Sequence, residues 1–102
     1  MVYKLTDENF EEEVLNCDKT VLVDVFATWC GPCQMMSPVI DAIAEELGDS
    51  VKVGKVDSDE NPEICEKYGI MSIPTIMVIK NGQVIKTFVG VTAKNEILDA
   101  LK

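Results

Sequence analysis

The fold of this 102-residue chain is decided by one stretch: Ala27-Thr28-Trp29-Cys30-Gly31-Pro32-Cys33. An apolar run from Val21 to Ala27 ends there, and a helical pattern begins near Gly31. We therefore expect a strand that leads into a helix N-terminus, with Cys30 at the exposed tip and Cys33 one turn further in. The backbone N–H groups of a first helical turn have no intrahelical partners and lie at the positive end of the helix dipole, so they stabilise a thiolate. Two thiols in this position indicate redox chemistry.

The segments on either side of the two cysteines indicate a buried strand before them and a helix after them. The run from Val21 to Ala27 is apolar except for Asp24, a pattern typical of a strand that is buried on both faces. Pro32 suits the first helical turn, because its missing N–H would have had no partner there. Beyond the thiols, five apolar residues recur at helical spacing: Met36, Val39, Ile40, Ile43 and Leu47. Gly48, which follows them, suits a helix C-terminus.

The other elements of the chain follow from similar patterns. Thr6 and Thr92 are expected to cap the first and the last helix, and Asn61-Pro62 is expected to open a short helix between them. Asn81-Gly82 is a strong signal for a hairpin between two strands. The resulting order, β-α-β-α-β-α-β-β-α, predicts an α/β protein with a central mixed five-stranded sheet flanked by four helices. We expect residues 1–102 to form one domain, because the chain has no room for a second core.

Charge and composition exclude several classes of function. The net charge is −9, from 18 acidic residues against nine lysines, with no arginine. Such a surface repels phosphate backbones and anionic lipid, so we expect neither a nucleic-acid partner nor a membrane partner. The absence of histidine excludes a Cys–His protease. The acidic run from Asp7 to Glu13 is interpreted as a solvated helix face.

The N-terminus and the cysteines together predict a cytoplasmic protein. The first residues lack the basic start and the apolar stretch of a signal peptide, and the apolar runs of the chain are too short to span a bilayer. In the cytoplasm, four cysteines are more often reactive or incidental thiols than a structural disulfide framework. A zinc site is disfavoured because only Cys17 and Cys65, far apart in sequence, could supply further ligands. We therefore expect a dithiol–disulfide couple with no metal and no cofactor.

Four motifs in the chain resemble those of the thioredoxin family: Val23-Asp24-Val25-Phe26-Ala27, Trp29-Cys30-Gly31-Pro32-Cys33, Ile73-Pro74-Thr75 and Lys80-Asn81-Gly82. The resemblance covers essentially the whole chain in length, element order and motif spacing. It implies the thioredoxin fold and a protein-disulfide reductase that carries electrons as a dithiol. It also implies two kinds of partner, which are disulfide-containing client proteins and a thioredoxin reductase, NADPH- or ferredoxin-linked, that regenerates the dithiol. We expect the protein to be a monomer.

The residues and the resemblance together suggest catalytic roles for four side chains. Cys30 is expected to attack a client disulfide as a thiolate, and Cys33 to resolve the mixed disulfide. Asp24 is the expected proton acceptor for Cys33, because burial raises the pKa of a lone carboxylate and the resemblance places this acid beneath the dithiol. Lys55 has the strand parity to reach inward toward Asp24. The alternatives are an edge strand with Asp24 in water, and an ordinary solvent-facing Lys55.

The resemblance also implies a docking surface for clients. It implies that the peptide bond before Pro74 is cis and that this proline faces the dithiol, which leaves the Ile73 backbone free to pair with an extended client segment. The alternative is a trans proline that begins an edge strand. The expected apolar docking face comprises Trp29, Gly31, Pro32, Met71, Ile73, Gly90 and Val91.

A few further residues indicate whether the chain resembles the reductases of the family or its oxidants and isomerases. Oxidants and isomerases of the family commonly carry a histidine between the thiols, and Gly31-Pro32 therefore favours a reductase. Gln34 stands where many relatives have lysine, and Phe26 where a tryptophan is common. Cys17 and Cys65 are expected to be inert thiols. The other hypotheses are a dedicated oxidant or isomerase, and a structural binding module in which the thiols are dispensable.

Overall fold

Five strands form one mixed sheet in the computed structural model, which describes residues 1–102. The strands are β1 (Val2–Leu5), β2 (Thr20–Phe26), β3 (Val51–Asp57), β4 (Thr75–Lys80) and β5 (Gln83–Val89). Their order across the sheet is β1-β3-β2-β4-β5. The first three strands are parallel, whereas β4 and β5 are each antiparallel to the neighbour that precedes them in the sheet. The predicted mixed sheet, with its parallel part first and a hairpin at one edge, is confirmed.

Four helices cover the two faces of the sheet, as the sequence predicted. They are α1 (Glu11–Leu15), which has π-type hydrogen bonding, α2 (Gly31–Leu47), α3 (Pro62–Lys67) and α4 (Lys94–Ala100). Helices α2 and α4 pack on one face of the sheet, and α1 and α3 on the other. None of these helices combines the length and the apolar character that crossing a membrane requires.

Strand β2 lies at the centre of the sheet and is buried on both faces, which explains its nearly continuous apolar sequence. Val21, Val23 and Val25 belong to the core beneath α1 and α3. Leu22 points to the opposite face and belongs to the core beneath α2. Asp24 has the same parity as Leu22, so its carboxylate is directed toward α2 and not toward water.

The hairpin between β4 and β5 turns at the two residues that the sequence singled out. Asn81 has a φ of 52° and Gly82 a φ of 78°, and two successive positive φ values are the requirement of a type I′ turn. The prediction that Thr92 caps the last helix is wrong. That helix begins at Lys94, and the Thr92 hydroxyl instead donates to the Gly90 carbonyl at 3.1 Å.

Asp7, near the start of the chain, is hydrogen-bonded to the first residues of α3, a contact that the sequence did not predict. The Asp7 carboxylate accepts hydrogen bonds from the backbone N–H groups of Glu63 at 3.3 Å and Ile64 at 3.0 Å. The Asp7 backbone N–H in turn donates to the Asn61 side-chain carbonyl at 2.8 Å. Asp7 therefore caps a helix more than fifty residues away. The interpretation of the acidic run as a solvated face fails at this residue, although Glu8, Glu11 and Glu12 are exposed.

Candidate active site

Cys30 and Cys33 lie at the junction of β2 and α2 and are joined as a disulfide, with their Cα atoms 5.2 Å apart. Cys30 is the N-cap residue of α2, with an extended backbone, and its sulfur accepts a hydrogen bond from the Cys33 backbone N–H at 3.2 Å. In the reduced protein, the same N–H group and the helix dipole favour negative charge on the Cys30 sulfur. The predicted strand-to-helix junction therefore supplies a site for a thiolate.

The Cys30 residue is not at an exposed tip, which corrects the sequence prediction. It is 5% exposed, hardly more than Cys33 at 3%. The reason is the loop before β4, because the Ile73 carbonyl oxygen lies 3.8 Å from the Cys30 sulfur and Ile73 packs against the buried cluster of Ala27, Cys30 and Cys33. A partner must therefore approach the sulfur beside Ile73.

Asp24 lies in the middle of β2 and is almost completely buried, with 1% of its surface exposed. Its Oδ1 atom has no hydrogen-bond partner. Burial raises the pKa of Asp24 to about 6; the nearby Lys55 ammonium lowers this pKa, and the Asp41 carboxylate raises it. The alternative of an edge strand with Asp24 in water is excluded, since β2 has neighbours on both sides.

A cavity of about 240 Å³ joins the buried acid to the inner cysteine. Asp24 and Cys33 both line it, together with Ser37, Lys55 and other side chains. A cavity of this volume has room for water molecules, and the Asp24 carboxylate is one polar group that could bind them. Asp24 and Cys33 therefore face the same cavity.

Lys55 reaches inward, but its ammonium group bonds to α2 and not to Asp24. Lys55 and Asp24 are register partners on β3 and β2. The Lys55 Nζ atom donates to the Ser37 hydroxyl at 2.6 Å and lies 3.9 Å from Asp41 Oδ1. It makes no ion pair with Asp24, so its effect on that carboxylate acts through space.

The residues of the expected docking face differ in their exposure. Trp29 is 70% exposed, Met71 95% and Val91 56%. Gly31 and Pro32 are also exposed, whereas Ile73 and Gly90 are half-buried and Pro74 is buried. The Ile73–Pro74 peptide bond is cis, as the resemblance implied.

Two residues that the sequence reading missed belong to this surface. Asp59 accepts a hydrogen bond from the Trp29 indole N–H at 2.8 Å, which holds the exposed ring in place. Nothing in the sequence connects these two residues, since the contact joins two loops. Met35 is 64% exposed and lies four residues after Gly31 on α2, hence on the same helix face. That spacing was a signal that could have identified it.

The other two cysteines lie apart from the dithiol. Cys17 and Cys65 are half-buried and unpaired. Burial raises the pKa of the Cys65 thiol, and the carboxylates of Asp7 and Asp59 raise it further, so this sulfur is less readily ionised than an ordinary thiol. The structure contains no group of three or more histidine, cysteine or acidic side chains placed to hold a metal ion.

A pair of cysteines at a helix N-terminus, joined as a disulfide and backed by a buried carboxylate, defines a thiol–disulfide oxidoreductase. The model of the family described as Thioredoxin matches residues 1–102. The chain belongs to the thioredoxin family, and its activity is that of a dithiol protein-disulfide reductase.

Named relatives support the same assignment over nearly the whole chain. The chain is 50% identical to a thioredoxin of Porphyra purpurea over 100 residues, which cover 98% of this chain and 94% of the relative. It is 52% identical to a thioredoxin of Rickettsia prowazekii (strain Madrid E), with 97% and 94% covered. It is also 50% identical to thioredoxin 1 of Synechococcus elongatus, with 95% and 91% covered.

Proposed function

We propose that this chain reduces client disulfides through Cys30 as nucleophile and Cys33 as resolving thiol, with Asp24 as proton acceptor. The observation that carries this assignment is the hydrogen bond from the Cys33 N–H to the Cys30 sulfur at the start of α2. This donor and the helix dipole act on Cys30 in particular. Of the two sulfurs, Cys30 is therefore the one that the fold prepares as an anion.

The reaction has two exchange steps. The Cys30 thiolate attacks one sulfur of the client disulfide, so that a Cys30–client disulfide forms and the other client sulfur leaves as a thiolate. Cys33 then loses its proton to Asp24, and its thiolate attacks the Cys30 sulfur. The Cys30–Cys33 disulfide forms and the second client sulfur leaves. The client gains two electrons and, after protonation from Asp24 and solvent, becomes a dithiol.

Asp24 suits the second step because its pKa of about 6 is close to the working pH. An ordinary surface aspartate is a weaker base, whereas a carboxylate with a raised pKa accepts a thiol proton more readily at neutral pH. The cavity that Asp24 shares with Cys33 supports this role, since the proton could pass through it. Lys55 limits the rise of the Asp24 pKa and thereby keeps the carboxylate ionised near pH 7.

Clients are proposed to bind over a docking face of exposed and half-buried residues, with Pro74 beneath them. These residues are Trp29, Gly31, Pro32, Met71, Ile73, Gly90 and Val91. The Ile73 backbone is proposed to pair with an extended client segment, which places the client disulfide next to Cys30. Broad recognition is expected from such a surface, because apolar contacts and main-chain pairing do not depend on one client sequence.

The cellular setting is also part of the proposal. We expect one domain, residues 1–102, that acts as a monomer in the cytoplasm and is re-reduced by an NADPH- or ferredoxin-linked thioredoxin reductase. Two unpaired cysteines, Cys17 and Cys65, are consistent with a reducing compartment. The dithiol itself carries the electrons, so the domain needs no bound cofactor.

The first experiment traps the mixed disulfide. In a Cys17→Ser/Cys65→Ser background, Cys33→Ser is expected to accumulate a covalent complex with a peptide that carries one disulfide, because Cys30 attacks and nothing resolves the product. Cys30→Ser is the matched control and should trap little. The measurement is the intact mass of the adduct without reductant. No adduct with Cys33→Ser, or an equal yield with Cys30→Ser, contradicts the assignment of roles.

A further inference from the structure

The side chains around Lys55 form an arrangement that the reductase chemistry does not by itself require. Asp24 and Lys55 are direct neighbours on adjacent strands, and both face α2. A buried carboxylate beside an ammonium group would ordinarily pair with it. Here the Asp24 Oδ1 atom has no hydrogen-bond partner, and the Lys55 ammonium bonds elsewhere.

Helix α2 provides the alternative partners of Lys55. Cys33, Ser37 and Asp41 are spaced four residues apart, so they form a row along the face of α2 that covers β2 and β3. The Ser37 hydroxyl accepts from Lys55 Nζ at 2.6 Å, and Asp41 Oδ1 lies 3.9 Å from the same atom. Two successive turns of the helix therefore hold the ammonium group, one turn beyond the resolving thiol.

Lys55 lies between two cavities with different linings. The inner cavity is lined by Asp24, Cys33, Ser37 and Lys55 among others, and the outer depression by Lys55 together with further charged residues: Lys4, Asp41, Asp57 and Glu60. On the other side of Asp24, β4 contributes the apolar Ile76. The charged or titratable groups in reach of the carboxylate are thus Cys33 and Asp41 on α2 and Lys55 on β3, and Lys55 is the cation among them.

The position of this ammonium decides how good a base Asp24 can be. An opposite charge in direct contact with a carboxylate lowers its pKa strongly, whereas the same charge held away lowers it less. A carboxylate paired with Lys55 would stay ionised but would take a proton from a thiol less readily. Holding Lys55 at Ser37 and Asp41 leaves Asp24 as a stronger base.

We propose that Ser37 and Asp41 are positioning residues for the reductase reaction, and that they hold the Lys55 ammonium away from Asp24 so that this carboxylate is free to accept the proton of Cys33. The inference rests on the role proposed for Asp24. It assigns Ser37 and Asp41 a function through Lys55, not through contact with a client.

The test is a titration of Asp24 in the full-length oxidised protein, followed by the carboxyl carbon signal in NMR. Ser37→Ala removes the nearer anchor, so Lys55 moves toward Asp24 and the Asp24 pKa falls from about 6 to about 5. Asp41→Asn is expected to lower it too, since it removes both an anchor and a like charge. Asp49→Asn, which removes one negative charge beyond the far end of α2, is the matched control and should leave it unchanged.

A second variant, which lacks Lys55, tests whether Ser37→Ala changes the Asp24 pKa through the position of Lys55 or through a local change in structure. In Lys55→Met, the cation is gone, so adding Ser37→Ala should no longer lower the Asp24 pKa. An Asp24 pKa that stays the same or rises in Ser37→Ala, or that falls equally with and without Lys55, overturns the proposal. The midpoint of the pH profile for client release should move down with the NMR titration in Ser37→Ala.

The proposed function can fail separately from this inference. If Asp24→Asn releases client at the ordinary rate, the role of Asp24 in proton transfer is wrong. The titration of Asp24 in Ser37→Ala still decides whether Ser37 controls the position of Lys55.

Discussion

Asp24 shows, within one residue, that the requirements of stability and of chemistry can oppose each other. The carboxylate is buried with an unpartnered oxygen, which is costly when it is ionised. The same burial gives the raised pKa that suits a proton acceptor near neutral pH.

The stability prediction concerns pH. The pKa of Asp24 is about 6 in the folded protein against an ordinary value of 3.8, so its contribution to stability is fully present below pH 3.8 and is lost as the pH rises through about 6. The whole change corresponds to about 3 kcal/mol. Asp24→Asn should therefore raise the free energy of unfolding at pH 7.5 by up to about 3 kcal/mol and change it little at pH 3.5.

Urea unfolding of the oxidised protein at the two pH values measures this difference. Asp49→Asn, an exposed carboxylate, is the control and should show no such dependence on pH. An Asp24→Asn variant that gains no stability on going from pH 3.5 to pH 7.5, relative to the unsubstituted protein, contradicts the buried, uncompensated carboxylate.

The same substitution is expected to lower activity, although it raises stability at neutral pH. Asp24→Asn should slow the release of reduced client near pH 7, because Cys33 then loses its internal proton acceptor, while the formation of the mixed disulfide by Cys30 is little changed. Rapid-quench sampling of the adduct and of free client separates the two steps. An unchanged release rate would remove Asp24 from the mechanism.

Elements of secondary structure were predicted well where a local pattern determined them. Strand β2 was recognised from its apolar run, α2 from the junction at Gly31 and the β4–β5 turn from Asn81-Gly82. The errors concern the partners of side chains near helix ends. Asp7 caps α3 across more than fifty residues, a tertiary contact that periodicity does not report. Thr92 does not cap α4, because its hydroxyl donates to the nearby Gly90 carbonyl instead.

The Asp7 cap gives a prediction at the scale of this element. Asp7→Ala leaves the N–H groups of Glu63 and Ile64 without their acceptor and removes a negative charge from the positive end of α3. The free energy of unfolding should fall by about 1 kcal/mol. Glu8→Ala changes a neighbouring exposed carboxylate and is the matched control. Equal urea midpoints for the two variants would show that the cap contributes nothing.

The candidate site was predicted in part for similar reasons. The cysteines, Asp24 and Pro74 belong to short motifs, so the sequence located them. No motif encodes the hydrogen bond from Lys55 to Ser37 or the one from Trp29 to Asp59, because both depend on how α2 and the loops pack. The burial of Cys30 has the same origin, because the Ile73 carbonyl comes from a loop more than forty residues away.

At the scale of the whole molecule, charge is distributed unevenly. The net charge is −9, yet no charged side chain occurs from Val25 to Ile40, the stretch that contains both cysteines. Trp29, directly before Cys30 in this stretch, has an exposed apolar side chain. We expect the acidic surface to keep the molecules apart and the neutral stretch to allow close approach of another protein chain to the sulfurs.

Disulfide reduction by this protein requires above all that the N-terminus of α2 stabilises Cys30 as a reactive anion. The direct measurement is the rate of alkylation of the reduced protein by iodoacetamide at pH 7, in the Cys17→Ser/Cys65→Ser background with Cys33→Ser added. Cys30 should react several-fold faster than an unstructured peptide with the sequence of residues 27–36 and the same serine substitution. Equal rates for the folded chain and the peptide would contradict the central claim.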